Sequence, residues 1–405
     1  MTSAVTAFYF YKQILAKISI PNDKNSLIFL IKIILLVNVA LVGAKLGDSA
    51  QTNWMIFSMV NRFLAAIALI LAMSFFIHKI KYFERYRFLI LLAIAIFIRI
   101  FAVLSAPSPT IDVFYILRDG SKLLLQGGNP YELFYPAPYG VYIPNIVFHY
   151  GPLTPFLFSP SVFMFNDPRP TLILAEIGSA FLIYMIAKKR NLDENIAMLL
   201  VLIFMFHPVF SFMVEHSWPD TLITFLFLLA IYFVNQTKRS LVPGFALGSI
   251  LAIKSVYFLP LFTFLVSTKS RMSNILIMFS IPVVLSLPFL YADPKLFWER
   301  TQIYVTNPER LATVLAPTNI SLSISAVILK YTKIVLPSYI AAIPAFLMAA
   351  LLLVKNPKIF AFSLLSTFLV FMFLFMFGPY AFLYNFAMMG NILLFSLLFL
   401  IPGRD

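Results

Sequence analysis

Two uncharged apolar runs, Ile334 to Val354 and Ile359 to Phe377, decide the solvent in which this chain folds. Each is about 20 residues long, enough for a helix to cross a hydrocarbon core of about 30 Å. Lipid offers no partner to a free N–H or C=O, so such runs must be helical. With 61% hydrophobic and 11% charged residues, and 45 phenylalanines, the rest of the chain carries more apolar surface than a soluble core needs. With these two included, the likely spans begin near residues 27, 54, 88, 170, 196, 221, 242, 255, 275, 334, 358 and 380. The expected fold is an all-α, polytopic membrane protein of about 11–13 transmembrane helices. The first run follows Lys12, Lys17 and Lys24, is long and lacks a small-residue cleavage pattern, so it reads as a retained span.

A formal net charge of +14 would suggest nucleic acid as the partner of a soluble domain. Here the basic residues sit in short connections, at 78–87, 188–190, 238–239 and 269–271, which the positive-inside rule places in the cytoplasm. Membrane lipids, and no nucleic acid, are the expected environment. Cysteine is absent, which removes disulfides and thiolate chemistry. With four histidines and no tight acidic pair, neither metal nor cofactor is expected; Asp112 and Asp119 are two helical turns apart. No phosphate-binding loop, nucleophile elbow or dinucleotide-binding glycine pattern is present.

Two long connections then fall outside, 107–151 and 292–333. The second ends in Lys330 and Lys333, which argue for the cytoplasm, but its apolar piece Ile320 to Leu329 is too short to span and is expected to lie along the surface or re-enter. Leu241 to Val266 is flanked by basic loops and interrupted by Pro243, Gly244, Gly248, Lys254 and Pro260, a pattern that predicts a hairpin of two half-helices. Pro-rich Pro152 to Phe165 invites the same reading.

Thr110 to Tyr131 predicts a short helix at the membrane boundary. At 100° per residue, Asp112, Tyr115, Asp119, Lys122 and Gln126 form one polar stripe, with Val113, Phe114, Leu117, Leu124 and Leu125 opposite. Thr110 is placed to cap its first turn, Asp112 complements the helix dipole, and Gly127-Gly128-Asn129-Pro130 ends it.

Asp112, Arg118, Asp119, Lys122, Glu132, His149, Glu215, His216 and Asp220 make an outward ionisable cluster, in which a carboxylate suits a general base and the cations suit a phosphate. Each has a structural alternative. Asp112 suits a first turn, Asp119 and Lys122 a solvated face, and Arg118 a lipid headgroup contact. His216 and Asp220, separated by Pro219, suit a helix entry. Lys254 needs a phosphate or carboxylate partner, or must snorkel. Arg300 and Arg310 suit lipid phosphate, or pairing with Glu299 and Glu309. Asn319-Ile320-Ser321 fits a glycosylation acceptor. A tyrosine of the first loop suits stacking on a sugar.

The order of these pieces resembles the integral-membrane GT-C glycosyltransferases that use polyprenyl-phosphate sugars. The resemblance rests on an Asp just beyond a span, GGNPY at Gly127 to Tyr131, HYGPLTPFLFSP at His149 to Pro160, EHSWPD at Glu215 to Asp220 and AIKSVYFLP at Ala252 to Pro260. It implies a catalytic module over 88–405, with 1–87 as additional N-terminal transmembrane helices. It implies an enzyme that transfers a hexose such as mannose, with inversion, from a polyprenyl-phosphate sugar to a lipid or lipid-linked glycan; the charge pattern places the site on the extracytoplasmic side, and a plasma membrane suits the absence of a retention signal. Asp112 matches the position of the base. Tyr115, Asp119, Lys122, Asn129, Tyr131, His149, Tyr150, His216, Asp220 and Lys254 are the implied substrate contacts. GPYAFLYN at Gly378 to Asn385 lacks the basic residue that relatives often carry in the last outward turn. A transporter or lipid flippase, and a noncatalytic scaffold, are the alternatives from other classes.

Overall fold

A computed structural model describes residues 24–45, 55–76, 81–109, 111–135, 146–234, 240–303, 323–334, 338–355, 360–378 and 383–400. These form helices α1 (Lys24–Lys45), α2 (Met55–Met73), α3 (Lys81–Ser105), α4 (Asp112–Leu125), α5 (Thr154–Phe165), α6 (Arg169–Lys189), α7 (Glu194–Met205), α8 (Pro208–Glu215) and α9 (Asp220–Val234). They continue as α10 (Val242–Leu251), α11 (Phe258–Ser267), α12 (Met272–Ala292), α13 (Pro294–Trp298), α14 (Ile324–Thr332), α15 (Ser338–Lys355), α16 (Phe360–Phe377) and α17 (Leu383–Leu400). The β structure among the described residues is one antiparallel pairing, Phe134–Tyr135 with Ile146–Val147. Among the described residues five helices are long and apolar enough to cross a membrane, and the pair α7 and α8, bent by 44° at Phe206–His207, would make a sixth. The chain is a helical, multi-pass membrane protein. Thr110, Lys238, Arg239, Glu309, Arg310 and Asn319 to Ser321 lie outside the described residues.

The helices are fastened where their backbones run out of partners. The last carbonyls of a helix have no intrahelical donor and sit at its negative end, so cations suit them. At the end of α2, Lys32 Nζ donates to Phe75 O at 2.7 Å and Arg87 to Ser74 O at 2.6 Å. Arg87 also lies over the Phe75 ring, 4.6 Å from its centre. Three N-terminal helices are thereby joined at one end.

The same end of the bundle holds the described basic connections at 188–190 and 269–271. Arg190 donates to Phe399 O (3.3 Å), Asn274 to Ser240 O (3.2 Å) and Ser363 to Ser267 O (3.2 Å). At the opposite end Ser325 of α14 donates to Phe377 O at 2.7 Å, and Tyr131 packs on Phe289 and Phe297. Lys330 and Lys333, cytoplasmic by charge alone, therefore belong to the end that carries Tyr131, as α14 does.

Segment 241–266 is a hairpin of two half-helices. Gly244 N donates to Asn274 Oδ1 (3.1 Å), and Gly248 lies against Met278 and Ile281, so α10 climbs beside the first half of α12. After a break at Ala252–Lys254 and one 3₁₀ turn, Phe258 and Phe262 of α11 both pack on Phe279 while the chain returns. Glycines at 244 and 248 permit the close approach, since a Cβ at either would lie about 3 Å or less from α12. The apex, 252–257, thus packs into the bundle through Ala252, Ile253 and Tyr257, while Ser255 and Val256 are exposed.

Candidate functional site

The apex leaves the carbonyls of a helix end at Ala252 and Ile253, both fully buried, and residues 151–153 supply their donors. Gly151 N donates to Ile253 O at 2.9 Å and Leu153 N to Ala252 O at 3.0 Å. Only glycine fits at 151, because a Cβ there would press into the Ala252 carbonyl. HYGPL and AIKSVY, about a hundred residues apart, are thus one unit of structure.

Lys254, at this apex, points to α9. Its Nζ lies 2.6 Å from Asp220 Oδ2, and the Tyr257 hydroxyl donates to Asp220 Oδ1. Asp220 is fully buried and occupies the first turn of α9, where the dipole also favours a carboxylate. The ammonium sits 5.9 Å from the centre of the Tyr150 ring and 6.0 Å from that of Tyr257, within cation–π range. Of the three partners weighed for Lys254, the structure selects the carboxylate.

Tyr150 ties this cluster to the turn that follows α4. Its carbonyl accepts from the Tyr131 hydroxyl (3.0 Å), its ring stacks on His149 at 4.7 Å, and His149 Nδ1 donates to Val147 O (3.0 Å). Tyr131 is buried in a box of Phe148, Phe289 and Phe297, all edge-to-face at 4.9–5.4 Å. Burial holds its phenol well above the usual tyrosine range. This corrects the expectation of a sugar contact at Tyr131: its ring faces the protein on every side and its hydroxyl is a fastening.

Helix α4 lies across the top of the same layer. Gly120 faces the Phe148 ring, which a Cβ would meet at 2.5 Å, and Ser121 donates to Pro155 O (3.1 Å). The residue before α4 is Ile111, which has no capping side chain; Asp112 Oδ1 instead accepts from Val113 N at 2.9 Å. The helix ends as its glycines predict: Gly127 takes a positive φ of 78°, Gly127 N donates to Leu124 O and Gly128 N to Leu123 O. Asn129 then accepts from Tyr131 N, so its side chain serves the turn.

Asp112, Tyr115, Asp119 and Lys122 are all partly accessible on α4. Asp119 is gripped by Arg118 at 2.6 and 3.0 Å, and Arg118 lies 4.8 Å from the centre of the Tyr115 ring. Arg118 therefore turns along its own helix to Asp119 and Tyr115, where a lipid headgroup contact was expected. Behind α4, buried Arg169 spans Asp167 (2.6 Å), Ala106 O (2.8 Å) and the Phe114 ring. Burial lowers the pKa of His216, with a smaller contribution from Arg169, and its Nδ1 donates to Phe212 O at 2.9 Å. On the second loop, Glu299 pairs with Lys295 (3.9 Å), and Arg300 Nε, buried, has no hydrogen-bond partner among the described residues.

Sequence reasoning missed Arg169, Arg99 and Glu176. The last two form a buried ion pair between α3 and α6. Their signal was present, since each is a charge inside an otherwise apolar run. Among the described residues no three His, Asp or Glu side chains gather closely enough to share a metal ion. Compared with known proteins, the chain matches no family model, no curated protein and no solved structure.

Proposed function

We propose that the protein is a GT-C-like membrane glycosyltransferase that moves a hexose from a polyprenyl-phosphate sugar to a lipid or lipid-linked glycan. One observation carries the reading: the segments 112–131, 147–155, 216–220 and 252–257 meet in one layer through Ser121–Pro155, Tyr131–Tyr150, Gly151–Ile253 and Asp220–Lys254. A transporter gives the helix that carries Asp112 no particular reason to join that layer. Asp112 is the base in this reading. Its carboxylate takes the proton of an acceptor hydroxyl, the freed oxygen attacks the anomeric carbon, and the bond from that carbon to the phosphate oxygen breaks with inversion.

Arg300 is a better candidate than Lys254 for the departing phosphate, because Lys254 is already neutralised by Asp220. His149 and Lys122 remain candidates at the rim. In this reading the site is extracytoplasmic, which the basic connections at the opposite end support. Purified protein in nanodiscs, given a synthetic polyprenyl-phosphate mannose and membrane lipid extract, is expected to transfer labelled sugar. Asp112→Asn should lower turnover by about 10²- to 10⁴-fold. Unimpaired turnover in that variant would remove Asp112 as base; no transfer with any polyprenyl-phosphate hexose would remove the reading.

The hairpin of half-helices meeting beside a buried ion pair favours transport as the second reading. Uptake or flipping of the lipid-linked sugar in proteoliposomes without transfer would select it.

A further inference from the structure

The break between α7 and α8 exposes the last four carbonyls of α7, and each finds a donor. Leu202 O accepts from Phe206 N (2.8 Å) and Phe204 O from His207 N (3.1 Å). The other two are met by side chains from outside: Ile203 O by Asn38 Nδ2 of α1 (3.2 Å) and Met205 O by the Arg99 guanidinium of α3 (2.5 Å). Arg99 is held by Glu176 of α6 and by its own helix at Ala95 O (2.9 Å). Away from water, leaving either carbonyl unmet would be costly, so the bend exists in this form only because α1 and α3 complete it. Beyond the bend, α8 leads in eight residues to His216 and then to Asp220.

We propose that Asn38 and Arg99 are positioning residues that set the His216–Asp220 turn through this bend, which gives the first N-terminal span a part in the site. The span is therefore no detachable addition to the module that follows it. Its consequence for turnover rests on the glycosyltransferase reading; the placement of the turn does not.

Trp218 reports that placement directly. It lies on the turn, 5.1 Å from the Phe212 ring and 5.4 Å from that of His216, and the chain has three tryptophans, so Trp54→Phe with Trp298→Phe leaves it as sole reporter. In that background Asn38→Leu is expected to raise acrylamide quenching of Trp218 about twofold or more by loosening the bend. Asn38→Gln, which keeps the donor, should restore it. Leu35→Ala, a packing loss at a more deeply buried position of α1, should destabilise the protein and leave Trp218 unchanged. If Asn38→Leu does not fold, Arg99→Met with Glu176→Met removes both charges together and still deprives Met205 O of its donor, and the same rise is expected. Unchanged quenching in the folded variants, or an equal rise in Leu35→Ala, overturns the proposal. If sugar transfer is measurable, the same variants should lower kcat about 10- to 100-fold with little change in KM. Failure of transfer altogether would leave the Trp218 result standing.

Discussion

Lys254 Nζ lies 2.6 Å from Asp220 Oδ2, and so joins the apex of the α10–α11 hairpin to the first turn of α9. Since the carboxylate is fully buried, removing one partner strands a charge, whereas removing both does not. Lys254→Met is expected to cost about 3 to 5 kcal/mol, and Lys254→Met with Asp220→Leu to recover most of that. A denaturation series in detergent measures it. If the single variant is no less stable than Lys295→Met, whose lysine is largely exposed, the ion pair is not formed.

Gly151→Ala should destabilise by about 1 to 3 kcal/mol, because the new methyl meets the backbone at Ala252, which has no freedom to rotate away. Gly390→Ala is the contrast. Nothing lies within 4 Å of a Cβ there, and a helical alanine should gain about 0.5 to 1 kcal/mol. Thermal midpoints that move together for the two would refute the docking of Gly151 on the apex.

Acid should weaken the protein through His216. Its folded pKa is lowered by burial, with Arg169 adding to the effect, so below about 6.5 the unfolded chain binds the proton first and stability falls as pH falls. The contribution is fully present above that pH. Comparing midpoints at about pH 7.5 and 5.5, His216→Gln should show a smaller acid loss than the parent protein. An equal or larger loss in the variant would contradict the assignment.

Tyr131 gives the opposite sign. Burial raises its folded pKa above the ordinary value of 10.0, so its contribution is intact below that pH and is lost as pH rises further, when the unfolded chain releases the proton first. In ultraviolet difference titration Tyr131→Phe should remove no absorbance change near pH 10. The same variant should cost about 1 to 3 kcal/mol by orphaning the Tyr150 carbonyl. A missing ionisation step in the variant would show that the ring is accessible after all.

Periodicity and charge gave the helices, because each is a local property of the chain. Runs beginning near 27, 170, 196 and 275 became α1, α6, α7 and α12 within a few residues, and the interruptions at Pro243, Gly244 and Lys254 announced the half-helix hairpin. The Gly127-Gly128 helix end was equally legible, since a positive φ suits glycine. Capping by Thr110 lies outside the described residues, and Ile111, next to the helix, caps with no side chain.

Partnership was not legible. Asp220 with Lys254, Arg99 with Glu176, Asn38 with Ile203 and Tyr131 with Tyr150 join residues 19 to 165 positions apart. Each is an outcome of desolvation: a polar group at depth must find a partner, but which one depends on the helix that packs beside it. The order of amino acids by itself made this chain a helical membrane protein with a short, polar-striped helix at 112–125. Packing alone decided that its buried charges answer one another, because only neighbours in space can replace the water that each one lost.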